Sequence, residues 1–119
     1  MQPNWDDNVP IYLQLRDRTV AMILDGTLKP GDALPSVRSV ATDFQLNPLT
    51  VSKAYQQLSE EGLVEKRRGL GQFIKEDARD RLLASEREQF LEREWPAILE
   101  RIQRLGLDPA TLLDHIKKH

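Results

Sequence analysis

Residues 47–58, NPLTVSKAYQQL, constrain the fold more than any other stretch of the chain. Asn47 offers an oxygen to the free N–H groups of a first helical turn, and Pro48 loses nothing at the position after a cap, so a helix starts here. Val51, Ala54, Tyr55 and Leu58 then recur at i, i+3, i+4 and i+7. They form one apolar stripe on one face. The opposite face carries Leu49, Thr50, Ser52, Lys53, Gln56 and Gln57, with no carboxylate before Glu60. Short hydroxyls, amides and one cation suit phosphate oxygens and base edges, which acidic groups at the same place would repel. An ordinary solvated helix face has the same periodicity, so the flanking segments must decide.

Upstream the same grammar repeats. Ser36 is a fitting N-cap for a short helix over residues 37–44, with Val37, Val40, Ala41 and Phe44 on one face. Gln45 and Leu46 make the turn into the helix at Asn47. Two short helices joined in three or four residues form a helix-turn-helix pattern. Before them Pro10 opens a helix whose core stripe is Ile11, Leu15, Val20, Met22 and Ile23, and Gly26 stops it. Residues 1–9 are polar and acidic and read as an arm, in which Trp5 gains from being covered by the domain or by a partner chain.

After Gly62 the period changes to that of strands. Residues 63–66 and 72–75 flank a tight turn through Arg68-Gly69-Leu70-Gly71, whose glycines supply the positive φ that a hairpin tip demands. Lys66, Arg67 and Arg68 lead into that tip. A basic hairpin behind a helix-turn-helix is a wing, although a cation run standing alone is most simply a solvated turn.

A different regime opens at Asp77. Leu91, Trp95, Ile98, Ile102 and Leu105 are spaced 4, 3, 4, 3, a heptad seam that Leu83, Phe90 and Leu99 widen. Pro96 lies inside the pattern, where it removes a donor and clashes with the preceding turn at a cost of about 3 kcal/mol, so a kink or restart is expected near Trp95. Asp108 caps a last helix that begins at Pro109 and carries Leu112, Leu113 and Ile116. Helices of this size have little interior of their own. The economical solution is the same segment of a second chain, which implies a homodimer. The expected architecture is mainly α with a small β-hairpin: a winged helix-turn-helix over residues 1–76 and a helical dimerisation tail over 77–119.

Composition bounds the remainder. The 119 residues are 39% hydrophobic and 30% charged, as in a soluble globular protein, and hold no cysteine for disulfides or thiolate metal sites. No apolar run approaches a bilayer's thickness, and the N-terminus lacks the sections of a signal peptide, so a cytoplasmic location is expected. The net charge of −2 argues against a nucleic-acid partner. Its distribution softens that objection, because residues 36–75 carry six cations against four anions, clustered at two points.

The run Lys29-Pro30-Gly31-Asp32-Ala33-Leu34-Pro35-Ser36-Val37-Arg38-Ser39-Val40-Ala41 resembles the second-helix signature of the GntR family of bacterial transcription regulators. Asn47, Thr50-Val51, Ala54-Tyr55, Leu58, Glu61-Gly62-Leu63-Val64, Arg68, Gly69, Gly71 and Phe73-Ile74 continue it without a gap. The tail is similar to that of the YtrA-type subfamily, whose short helical tail serves dimerisation. The resemblance implies a regulator, a repressor by preference, that binds a palindromic double-stranded DNA operator as a dimer without a cofactor. In the subfamily the regulated genes are often transporter operons.

Carried over by position, DNA contacts fall on Ser36 and Arg38, on Asn47, Pro48, Leu49, Thr50, Ser52 and Lys53, and on Arg67, Arg68, Gly69 and Gly71 of the wing. Some relatives have arginine at positions 48 or 52. Here Leu49 against a thymine methyl is the substitute the sequence offers. Tyr55 could reach a phosphate through its hydroxyl, but its place on the apolar stripe favours core packing.

Two rival classes compete for the same residues. His115 and His119, one turn apart beside Asp114, have a metal-binding spacing, but a terminal helical turn attracts such cations anyway. No nucleophile or paired-carboxylate constellation accompanies them, and neither a metal site nor an enzyme is expected. A winged helix used for protein contact would suit the net acidity, whereas the basic wing and uncharged helix tip oppose it. A small-molecule effector lodged between tail and winged helix is compatible with the pattern, and no residue specifies one.

Overall fold

The computed structural model describes residues 4–119, in two compact units, Met1–Leu83 and Ala84–His119. The first begins with α1 (Ile11–Leu24), α2 (Val37–Phe44) and α3 (Pro48–Glu60), followed by a hairpin of β1 (Val64–Arg67) and β2 (Gly71–Ile74). Helix α4 (Ala78–Gln89) comes next, then α5 (Trp95–Leu105) and α6 (Pro109–Lys118).

Helix α3 is the centre of the first unit, and α1, α2 and β1 all pack against it. Its stripe is buried as its spacing requires: Val51, Ala54 and Leu58 have no exposed surface and Tyr55 retains 4%. Ile23, Val40, Ala41, Leu63, Val64 and Ile74 close the core around them, and Val37 and Phe44 pack on its edge. Both expected caps form. The Ser36 hydroxyl accepts from the Ser39 N–H at 3.1 Å, and Asn47 Oδ1 accepts from the Leu49 N–H at 2.9 Å. Between the two helices Gln45 takes a left-handed conformation at φ 54°, and the Leu46 N–H donates back to the Ala41 carbonyl at 2.8 Å.

The hairpin pairs Val64 with Ile74 and Arg67 with Gly71 in antiparallel register. A third strip of chain joins it. The Leu34 N–H donates to the Gln72 carbonyl and the Ile74 N–H to the Asp32 carbonyl, each at 2.8 Å, and Ala33 bridges Phe73. The loop before α2 is thus tied to the wing by backbone bonds.

Four expectations need correction or refinement. Met22 is 37% exposed, and Thr19 takes its place in the α1 stripe, one turn after Leu15 and one before Ile23. Its hydroxyl donates to the Leu15 carbonyl at 3.0 Å, so the polar group is satisfied inside the helix. Leu83, expected to widen the tail seam, is half-buried and falls in the first unit, where Ala78 and Leu82 are buried, so that unit runs past the composition change at Asp77. The interruption near Trp95 occurs as a π-helical turn over Phe90–Glu94, where the Trp95 N–H donates to the Phe90 carbonyl. Widening the helix just ahead of Pro96 relieves the clash of its ring with the preceding turn. The arm expectation divides: residues 1–3 lie outside the described residues, while Trp5 is half-buried and meets the Phe44 ring edge-on at 6.2 Å. Gln14 fixes this segment, accepting from the Asp6 N–H at 2.8 Å and donating to the Asp6 and Val9 carbonyls.

Candidate nucleic-acid interface

Helix α2 presents Arg38 and helix α3 presents its first turn on one surface. Arg38 and Pro48 line the same open depression, together with Val37, Thr42 and Leu46. Ser36, Arg38, Asn47, Pro48, Leu49, Ser52 and Lys53 are all exposed, and Thr50 is half-buried. No acidic residue occupies the first turn of α3, so the positive end of its backbone dipole is unopposed. Leu49 leaves 75% of its surface in solvent.

Lys53 is placed differently from its neighbours. Its ammonium sits 4.2 Å from the centre of the Tyr12 ring on α1, a cation–π contact that holds the side chain toward α1. Glu61, at the far end of α3, accepts from Arg16 Nε at 2.9 Å, and a second guanidinium nitrogen of Arg16 pairs with its other oxygen. The Arg16 hydrogen bond pulls the Glu61 carboxyl below the usual carboxylate range; burial opposes this and Gln57 assists. The same pairing raises the Arg16 guanidinium. The charge of Glu61 is therefore compensated locally.

Tyr55 is not part of the exposed face. Its hydroxyl donates to the Pro35 carbonyl at 2.7 Å, and burial pushes its ionisation up to about 12. The contact anchors the residue that precedes the α2 cap, and so helps to set where Arg38 points from.

At the wing, Gly69 and Gly71 hold φ of 77° and 107°, which L side chains rarely adopt, around an exposed Leu70. The three consecutive cations do not form one patch. Arg67 donates to Glu65 at 3.0 Å and lies 4.3 Å over the Phe73 ring, whereas Lys66 points to the opposite side of the strand from Arg67. Arg38 and Arg68 make no ion pair among the described residues. Sequence reasoning missed the pairing of residues 31–34 with β2, which couples wing to α2; the segment is too short to show a strand period.

In sequence, residues 11–74 match the family described as bacterial regulatory proteins, gntR family. The chain belongs to the GntR family. Among curated GntR relatives, the HTH-type transcriptional repressor YtrA of Bacillus subtilis (strain 168) is 47% identical over 76 residues, 64% of this chain and 58% of that protein. The uncharacterized HTH-type transcriptional regulator YhcF of the same organism is 36% identical over 118 residues, 98% of this chain and 95% of YhcF. A solved GntR family transcriptional regulator from Listeria monocytogenes superposes with a TM-score of 0.75 at 31% identity, over 97% of this chain and 99% of the other. YtrA from Sulfolobus acidocaldarius, a GntR-family transcription factor, is similar at a TM-score of 0.57 and 25% identity, over 99% and 94% of the two chains.

The protein is accordingly a winged helix-turn-helix, DNA-binding transcription regulator similar to YtrA, and the likeness to YhcF and the Listeria regulator extends through the tail. In this GntR protein no described helix is long and apolar enough to cross a membrane, and no described group of three His, Cys, Asp or Glu residues could hold a metal.

Proposed function

We propose that the chain acts in the cytoplasm as a homodimeric repressor on a palindromic operator, through the face formed by α2, the start of α3 and the wing. The observation that carries this reading is the apolar seam of the second unit. Leu91 and Leu105 are about three-fifths exposed, Trp95 and Ile98 more than a third, on helices that bury none of their residues. Ile102 completes the seam as the half-buried member. Exposed apolar surface on this scale calls for a cover, and a second copy with the same face supplies one by symmetry.

Pairing would present each recognition face twice, and two such helices suit successive major grooves about 34–36 Å apart. In each half, Arg38 can give bidentate donors to phosphate or to guanine O6 and N7, Asn47, Thr50, Ser52 and Lys53 can address phosphate and base edges, and Leu49 can meet a thymine methyl. Arg68 with the backbone of Gly69 and Gly71 would follow the adjacent groove; Arg67 would support the wing by its contacts to Glu65 and Phe73. Occupying a promoter in this way blocks transcription without further chemistry. Selection of bound sequences from a random duplex pool tests the whole reading. Enriched inverted repeats with half-site centres one helical turn apart are expected; enrichment of a single unrepeated site would overturn the dimeric mode.

A further inference from the structure

Within the first unit, between α1, the segment preceding α2, and α2 itself, lies a cavity of about 220 Å³. Its surface is carbon in character. Leu15, Met22, Leu28, Leu34, Val40 and Phe44 make most of it, and the polar side chains in the wall are turned to internal partners: Thr19 to the Leu15 carbonyl and Tyr55 to the Pro35 carbonyl. Two exposed charges of opposite sign, Arg18 and Asp43, mark its outer edge. The walls are braced from outside. Phe44 has the Trp5 edge at 6.2 Å and the Arg18 guanidinium at 5.5 Å, and the Leu28 N–H donates to the Met22 carbonyl at 3.0 Å. These contacts hold Phe44 and Leu28 in place on two sides of the space.

We propose that this cavity binds a small neutral apolar molecule the size of one substituted aromatic ring, and that its occupancy is transmitted to α2. Size and chemistry set the ligand class: an enclosed apolar cavity of about 150 Å³ accepts benzene, and this space of about 220 Å³, open on the side of Met22, Arg18 and Asp43, has room for such a ring with a substituent. Transmission follows from the walls. Val40 and Phe44 belong to the helix that carries Arg38, and Pro35 directly precedes its cap, so an occupant bears on the helix that meets DNA in the reading above. That second half rests on that reading; ligand binding itself does not.

The test is an NMR titration of the full chain with toluene, following side-chain methyls and backbone amides. Saturable shifts are expected for the methyls of Met22, Leu28, Leu34 and Val40, with accompanying shifts of the Arg38 and Ser39 amides. Met22→Trp should abolish them by filling the mouth, where Met22 is already 37% exposed, and Leu28→Phe should weaken them by occupying the interior. Absence of saturable shifts up to the solubility of toluene overturns the proposal, as do shifts that persist unchanged in both variants. Methyl shifts without the two amides overturn the transmission to α2. Failure of the protein to bind duplex, with toluene shifts intact, counts against the DNA reading and leaves this cavity assignment standing.

Discussion

Replacing Tyr55 by phenylalanine isolates one bond that joins the core to the DNA-facing surface. The ring and its packing are kept; only the hydroxyl, which donates to the Pro35 carbonyl at 2.7 Å, is removed. A hydrogen bond of this kind contributes about 1 kcal/mol net, and a partly buried carbonyl left short of its donor adds to the loss, so a fall of about 1–2 kcal/mol is expected at neutral pH. In a unit of this size that corresponds to a Tm lower by about 5–10 °C. The pH dependence supplies an independent check. Burial pushes the Tyr55 hydroxyl up to about 12 in the folded chain, while an unfolded tyrosine ionises near about 10. Stability that depends on the neutral hydroxyl is therefore complete below the unfolded value and is lost as pH rises through the folded one. Urea unfolding followed by circular dichroism, from neutral pH to about pH 12, should show the wild type falling toward Tyr55→Phe in that alkaline window. A gap that stays constant across the window, or a variant as stable as the wild type at neutral pH, refutes the bond's role.

Gln45→Gly should raise stability by about 0.5–1 kcal/mol in the same unfolding assay, because it removes the cost of a left-handed L residue at φ 54°; a loss would mean that the Gln45 side chain holds the turn. Glu61→Gln should be less stable than wild type near neutral pH by about 1–2 kcal/mol, the contribution of a charge-assisted hydrogen bond. Since the Glu61 carboxyl is held low, its contribution is present above the ordinary carboxylate value and is lost as pH falls through the lowered one, so the two proteins should converge in acid. Ile98→Glu combined with Ile102→Glu should give monomers by light scattering, and a dimer surviving both changes would place the interface elsewhere.

Where local chemistry repeats at short range, the sequence was a sufficient guide. Asn47-Pro48, Ser36 and Asp108-Pro109 announced caps that form with the expected donors, because a cap needs only residues two or three positions away. The α3 stripe was legible for the same reason. Met22 and Thr19 were not, because a satisfied hydroxyl inside a helix carries no periodic signal. The bonds from Tyr55 to Pro35 and from residues 31–34 to β2 join parts of the chain that only tertiary packing brings together. Among the candidate contacts, the exposed positions at the tip of α3 could be read from the polar face, but the commitment of Lys53 to Tyr12 depends on how α1 crosses α3.

In the proposed mode a small set of cations, displayed twice, meets the phosphates of a duplex. Its most direct test is the salt dependence of binding to a selected operator. With Arg38 and Arg68 engaged in both subunits, and Lys53 drawn from the Tyr12 ring to join them, the slope of log K against log salt should lie near about −5, and Arg38→Ala should make it shallower by about 2. Affinity that barely changes between low and moderate salt, or a slope untouched by Arg38→Ala, would contradict the account.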